Sequence, residues 1–308
     1  MAVSEKCAVI FPGQGSQFAG MGHDLYQSYP PVGILFDKAS EALGFDLAAY
    51  CFKGSDEELN ETRITQPAIF VHSVATYYLL QEKGFSPLVA AGHSLGEYSA
   101  LVAAGYLSFE EGISLVGLRG ALMQKAGDNA PGAMAAIIGL EDDRVAELCK
   151  LAQETVVPAN FNAPGQVVIS GSLAGVESLM EAAGRAGAKI VKKLRVSGAF
   201  HSPLMSYAYE EMQVRLREAK ITRGRIPVVA NVSAEFETEP EKIRSLLARQ
   251  ITSPVLWTAS IERMISSGIE KFVEVGPGNV LAGLCRRINR SVKAVSVSNI
   301  EQLNDFVS

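Results

Sequence analysis

The sequence predicts an α/β protein with parallel strands that carries a second, smaller βαββαβ unit. Three observations predict it: short apolar runs alternate with longer amphipathic stretches, a glycine-flanked serine joins one such run to a helix, and the periodicity changes near residue 130. The 308 residues provide 48% apolar and 20% charged side chains, enough for one large or two closely associated domains and too apolar for a disordered chain.

Strands are expected at Ala8–Phe11, Leu88–Ala91, Val228–Asn231 and Lys271–Val275, with helical patterns between them. The clearest helix opens at Ser108, an N-cap with Glu111 three residues on, and should end near Gly127. From Ala130 the order becomes strand (Ala133–Gly139), helix (Asp142–Ala152), two strands (Val156–Asn162 and Val167–Gly171), helix (Gly175–Ala186) and strand (Lys189–Leu194). That βαββαβ order is the ferredoxin-like unit. The reading is a 130–196 insertion in a larger domain formed by 1–129 and 197–308; the alternative is one continuous sheet.

Composition excludes several functions. Lys and Arg number 28 against 33 Asp and Glu, a net charge of −5 with no basic tail, which argues against a general nucleic-acid binder. Cys7, Cys51, Cys149 and Cys285 are scattered, so neither a disulfide framework nor a zinc site is expected. No run approaches the ~20 apolar residues of a membrane span, and the run Cys7–Phe11 lacks the features of a signal peptide. A reduced cytoplasmic protein with no membrane or metal partner is the expectation.

Gly92-His93-Ser94-Leu95-Gly96 follows the apolar run Leu88–Ala91 and precedes a helical pattern, the strand–turn–helix context of a nucleophile elbow. Cβ-free neighbours let strand and helix approach while the serine hydroxyl is pushed out at the helix N-terminus, and the Leu95 N–H is the expected oxyanion donor. A bland alternative is a glycine-rich turn with a capping serine. Of the four histidines, His93 lies in the turn itself, where it should point away from the serine, and His23 and His72 lie upstream. His201, in Gly198–Pro203, is the only one downstream and the candidate base. No Asp or Glu stands in a telling context as its partner, and a backbone or amide carbonyl would serve instead.

On the helix from Ser108, Gly112, Leu115, Arg119, Leu122 and Ala126 share one face. Arg119 breaks that apolar stripe. It pairs with a protein carboxylate, snorkels to solvent, or waits for a ligand carboxylate that it can grip bidentately. After Ala8–Phe11, the loop Pro12–Gln17 has Phe18 where a dinucleotide fingerprint needs its third glycine, and it lacks the Lys of a P-loop. What remains is a tight loop at a strand end, placed to complete an oxyanion hole.

Taken together, Phe11 to Gln17, Gly92 to Ser99, Arg119-Gly120, Ala199 to Pro203 and Gly276-Pro277-Gly278 closely resemble the malonyl-CoA:acyl carrier protein transacylases, in the same order over nearly the whole chain. The resemblance implies an α/β-hydrolase-like large domain with an inserted ferredoxin-like one. It implies Ser94 as the acylated nucleophile, His201 as its base, Gln14 and Leu95 as main-chain oxyanion donors, and Arg119 as the malonyl clamp. It further implies that the Gln250 main-chain carbonyl steadies His201, that Gln66 and Gln166 lie near the acyl or CoA chain, and that Phe200 disfavours a methylmalonyl group. No bound cofactor is implied; malonyl-CoA is the donor, an acidic acyl carrier protein the acceptor, and the enzyme a monomer. Lys192, Lys193 and Arg195, or Arg286, Arg287 and Arg290, are candidate carrier-docking patches. An esterase or thioesterase using the same serine, and a non-catalytic acyl-binding module, are the rival readings.

Overall fold

The computed structural model describes residues 6–307, so residues 1–5 and 308 of the expected large unit lie outside it. Two separate sheets form, which removes the continuous-sheet alternative. The larger takes β1 (Cys7–Phe11), β2 (Val89–Gly92), β7 (Val228–Val229), β8 (Phe236–Glu237), β9 (Lys271–Val275) and β10 (Lys293–Val297) in the order β10-β9-β1-β2-β7-β8. All neighbours are parallel except β8, which runs antiparallel to β7. The smaller is antiparallel, with β3 (Gly132–Ile138), β4 (Val156–Ala163), β5 (Gln166–Ser172) and β6 (Ile190–Lys193) ordered β4-β5-β3-β6.

Strand β1 shows why a parallel strand reads as a continuous apolar run. Val9 and Phe11 enter one core, while Ala8 and Ile10 enter a second on the opposite face with Trp257, Ile261 and Phe272. On the first face the helix Gly96–Ala104 is buried on every side, lying on β1 and β2 beneath the helices Thr62–Glu82 and Phe109–Asn129. The latter helix starts where the N-cap was expected, with Ser108 Oγ accepting the Glu111 N–H (3.1 Å), and runs two residues past the expected end. The Glu111 carboxylate accepts from Arg215 (2.7 Å), which ties this helix to Ser206–Glu218.

Some elements are not singled out by the sequence, β8 among them, and one strand ends early. Pro67 in the second turn conceals the helix Thr62–Glu82, since an interior proline ordinarily breaks one. Edge strand β10 alternates exposed and half-buried positions and lacks a continuous apolar run. The expected strand Val228–Asn231 stops at Val229, because the Ala230 N–H turns to Glu235 O and the Asn231 N–H to Glu97.

The small sheet has two apolar faces. Ala133, Ala135, Ile137, Val167 and Ile169 pack beneath the helices Asp142–Leu151 and Leu173–Arg185, whereas Met134 and Val168 face the main core. The chain enters and leaves this sheet side by side: a Cβ on Gly127 would lie 2.2 Å from Ser197 O. Strand β4 also bonds to the large part, with Phe161 N–H on Val255 O (2.9 Å) and Val255 N–H on Ala159 O (2.8 Å). Among the described residues no helix is long and apolar enough to cross a membrane.

His72 sits in the middle of the helix Thr62–Glu82 and is buried. Desolvation lowers its pKa to about 4, against a smaller opposing effect of Asp24. The unfolded chain therefore binds a proton that the fold rejects between pH 6.5 and 4, so stability contributed by this site is complete above 6.5 and lost on acidification. Relative to His72→Leu, the wild type should lose up to about 3 kcal/mol across that window. Urea melts of both proteins at pH 7.5, 5.5 and 4.5 check this; a constant difference would disprove it.

Candidate active site

The turn after β2 holds Ser94 at a left-handed φ of 53°, directly before the helix Gly96–Ala104. The flanking glycines are required by contact: a Cβ on Gly92 would lie 1.9 Å from the Gly96 carbonyl carbon, and one on Gly96 2.1 Å from Phe11 O. Asn231 clamps the turn from the end of β7. Its Oδ1 accepts the Ser94 N–H (2.7 Å) and its Nδ2 donates to Gly92 O (2.6 Å).

His201, also at positive φ (57°), places Nε2 2.7 Å from Ser94 Oγ. Its Nδ1 faces two main-chain oxygens, Gln250 O at 2.8 Å and Ser253 O at 3.2 Å. Carbonyls only accept, so the proton resides on Nδ1 and Nε2 is left to take the serine proton. The Gln250 carbonyl is thus where a triad would place a carboxylate. Burial, and then the Arg119 charge, lower the His201 pKa to about 3, which keeps the imidazole neutral at physiological pH.

Arg119 is fully buried and forms an ion pair with no carboxylate among the described residues. Instead Nη1 donates to Gln66 Oε1 (2.7 Å), while Nη2 donates to Gln250 Oε1 (2.9 Å) and to Ser94 Oγ (3.0 Å). Snorkelling is excluded. Gln66 is itself fixed by donating Nε2 to Met123 Sδ (3.4 Å). The guanidinium is held by neutral acceptors and retains its charge for an anion, beside the hydroxyl that would carry an acyl group.

One cavity of about 80 Å³ brings together Gln14, Gln66, Ser94, Leu95, Arg119, Phe200 and His201, with Met134 of the small sheet across from them. Gln14 lies in the loop after β1, where the Gly15 N–H donates to Gln17 Oε1 (2.8 Å) and Gln14 Nε2 reaches Thr62 Oγ1 (3.4 Å). Gln250 is behind the cavity, completely buried. Gln166 is not brought to the cavity; it begins β5 and accepts a hydrogen bond from Arg287. His93 lines the cavity despite its position in the turn, with its Nε2 2.8 Å from Asn162 Oδ1.

The acyl transferase domain family matches residues 9–302. The chain belongs to this family. As an acyl transferase domain it is 47% identical over 304 residues to the malonyl CoA-acyl carrier protein transacylase of Haemophilus influenzae, covering 97% of both chains. It is 47% identical over 294 residues to that of Escherichia coli K12, covering 94% and 95%. The crystal structure of an acyl carrier protein S-malonyltransferase from Vibrio cholerae matches this acyl transferase fold with a TM-score of 0.94 at 47% identity, over 98% of this chain and 100% of that one. A malonyl-transacylase solved in complex with a type II PKS acyl-carrier protein matches with a TM-score of 0.95 at 44% identity, over 98% and 99%.

Two residues of this acyl transferase domain were invisible to sequence reasoning. Asn231 is separated from the elbow it clamps by 137 positions. Glu97 stands three residues after Ser94, yet only its burial distinguishes it from a solvated helix acid. Its Oε2 accepts from Gln250 Nε2 (2.7 Å) and from the Asn231 N–H (3.2 Å).

Proposed function

We propose that the chain transfers a malonyl group from malonyl-CoA to the phosphopantetheine thiol of acyl carrier protein, for fatty acid synthesis, through a malonyl-Ser94 intermediate. The observation that carries this reading is the buried Arg119, without a carboxylate partner and hydrogen-bonded to Ser94 Oγ. A malonyl ester on Ser94 presents a carboxylate one methylene beyond its carbonyl, and a guanidinium is the cation shaped to receive it. Relatives named as malonyl CoA-acyl carrier protein transacylases support the choice of donor and acceptor.

In the first step His201 Nε2 takes the Ser94 proton as Oγ attacks the thioester carbonyl. The oxyanion receives the main-chain N–H groups of Leu95 and Gln14, and the imidazolium returns its proton to the departing CoA thiolate. In the second step His201 deprotonates the carrier thiol, which attacks malonyl-Ser94; collapse expels the serine, and Oγ regains its proton. The Gln250 main-chain carbonyl keeps His201 in the tautomer that both steps need. Base, donors and cation all come from the chain, so the chemistry calls for no bound cofactor.

Gln66 holds Arg119 toward the acyl group, and Phe200 beside the base crowds a methyl on the α-carbon, a discrimination of about 1–3 kcal/mol. Gln166, tied to Arg287, belongs in this reading with the CoA chain and not with the acyl group. The large sheet and its helices form an α/β-hydrolase-like domain (1–129 and 197–308) and the β4-β5-β3-β6 sheet a ferredoxin-like insertion (130–196), with the cavity between them; the enzyme acts as a cytoplasmic monomer. Arg286, Arg287 and Arg290, or Lys192, Lys193 and Arg195, receive the acidic carrier.

Mass spectrometry of the intact protein after addition of malonyl-CoA tests the proposal. A malonyl adduct on Ser94, discharged faster by holo carrier protein than by water, is the expected result, with discharge alone slowed by charge reversal at the docking arginines. Rapid turnover without carrier identifies a hydrolase, and absence of an adduct a non-catalytic module.

A further inference from the structure

One residue joins Arg119, His201 and the Ser94 turn. Gln250 accepts from Arg119 Nη2 at Oε1, donates from Nε2 to Ser94 O (2.9 Å) and to Glu97 Oε2 (2.7 Å), and accepts His201 Nδ1 at its main-chain oxygen. Ser94 O can only accept, and Arg119 can only donate. An ionised Glu97 also only accepts, so the amide has a single orientation that satisfies all three. The same carboxylate oxygen receives the N–H of Asn231, the residue whose side chain spans the elbow from Gly92 O to Ser94 N.

We propose that Glu97 is a positioning residue for the transfer reaction: through the Gln250 amide and the Asn231 main chain, its carboxylate fixes Arg119, His201 and the Ser94 turn in one arrangement and opposes the positive charge that forms on His201. Removed from the reacting atoms by one residue, it supplies the anion that the Gln250 carbonyl cannot. The charged and titratable groups around it are Arg119 on the helix Phe109–Asn129, Tyr98 next to it in sequence, Glu237 of β8, and His201 across Gln250.

Burial raises the Glu97 pKa to about 7, against the opposing effects of Gln250, Asn231 and Arg119. His201 lies near 3 and Tyr98 near 12, each shifted by desolvation, so Glu97 is the group of this cluster that changes charge near neutrality. A rise in serine reactivity around pH 7 is therefore the expected signature of Glu97 ionising.

The inference rests on the Ser94–His201 dyad of the proposed function but not on the identity of the acyl donor. The test therefore measures labelling of Ser94 by a fluorophosphonate, between pH 5.5 and 8.5, in the wild type and in Glu97→Gln, with thermal melts to confirm folding. The expected wild-type rate rises with a midpoint near pH 7. The expected Glu97→Gln profile is flat, equal to the wild type at pH 5.5 and about tenfold lower at pH 8.5, the loss of roughly one charge-assisted interaction. A variant that keeps the midpoint, or whose rate is scaled down equally at every pH, overturns the proposal. A flat wild-type profile overturns it as well, whether or not the variant folds. A missing malonyl adduct on a Ser94 that the fluorophosphonate still labels would instead count against the choice of donor alone, whereas a serine that takes neither reagent identifies the non-catalytic module.

Discussion

Ser94→Ala should leave the protein folded and the mass of the chain unchanged after incubation with malonyl-CoA, with transfer to carrier protein reduced by about 10⁴-fold or more. The effect is large because the covalent intermediate of the proposed reaction forms on one oxygen, 2.7 Å from His201 Nε2 and 3.0 Å from Arg119 Nη2. Folding should survive. Alanine carries the same Cβ into the φ of 53°, Asn231 still accepts the main-chain N–H, and Arg119 Nη2 keeps Gln250. Intact-mass spectra of the variant provide the check, and an adduct on any other residue would relocate the nucleophile.

Arg119→Ala should lower kcat/KM for malonyl-CoA by about 10²–10³-fold, equivalent to losing one buried charge pair with the donor. It should at the same time let acetyl-CoA compete, because in the wild type an acetyl group leaves a buried guanidinium without an anion, a cost that vanishes with the side chain. A further consequence has a fixed sign: Arg119 is the second cause of the low His201 pKa, so its removal moves that pKa upward from about 3. Initial rates with the two donors in competition measure the selectivity. Unchanged preference for malonyl over acetyl would take Arg119 out of recognition.

The parts of this site legible in the sequence are those written in local pattern. The elbow shows because two glycines must stand where strand and helix nearly touch, and because Val89–Gly92 and Gly96–Ala104 flank it directly. Arg119 shows as a charge in an apolar stripe, and the small antiparallel sheet shows in its element order. What does not show is written in tertiary proximity. The partner of His201 is a main-chain oxygen, which any residue type supplies, and Asn231 reaches the elbow from the turn after β7. Glu97 is concealed by its chemistry: acidic residues at the start of a helix are common, and only the packing of that helix on all sides turns this one into a buried charge.

In the proposed reaction, the bond from Arg119 to Ser94 Oγ would make the guanidinium a gatekeeper of the nucleophile and not only a grip on the substrate. While Nη2 donates to the hydroxyl it withdraws electron density from the attacking oxygen and, through its charge, weakens the neighbouring base. A donor carboxylate that paired with the guanidinium would relieve both restraints at once, and a donor without an anion would leave them in force. Fidelity is then exercised on the readiness of the serine, after the donor has arrived, and two thioesters of equal affinity would still be acylated at different speeds.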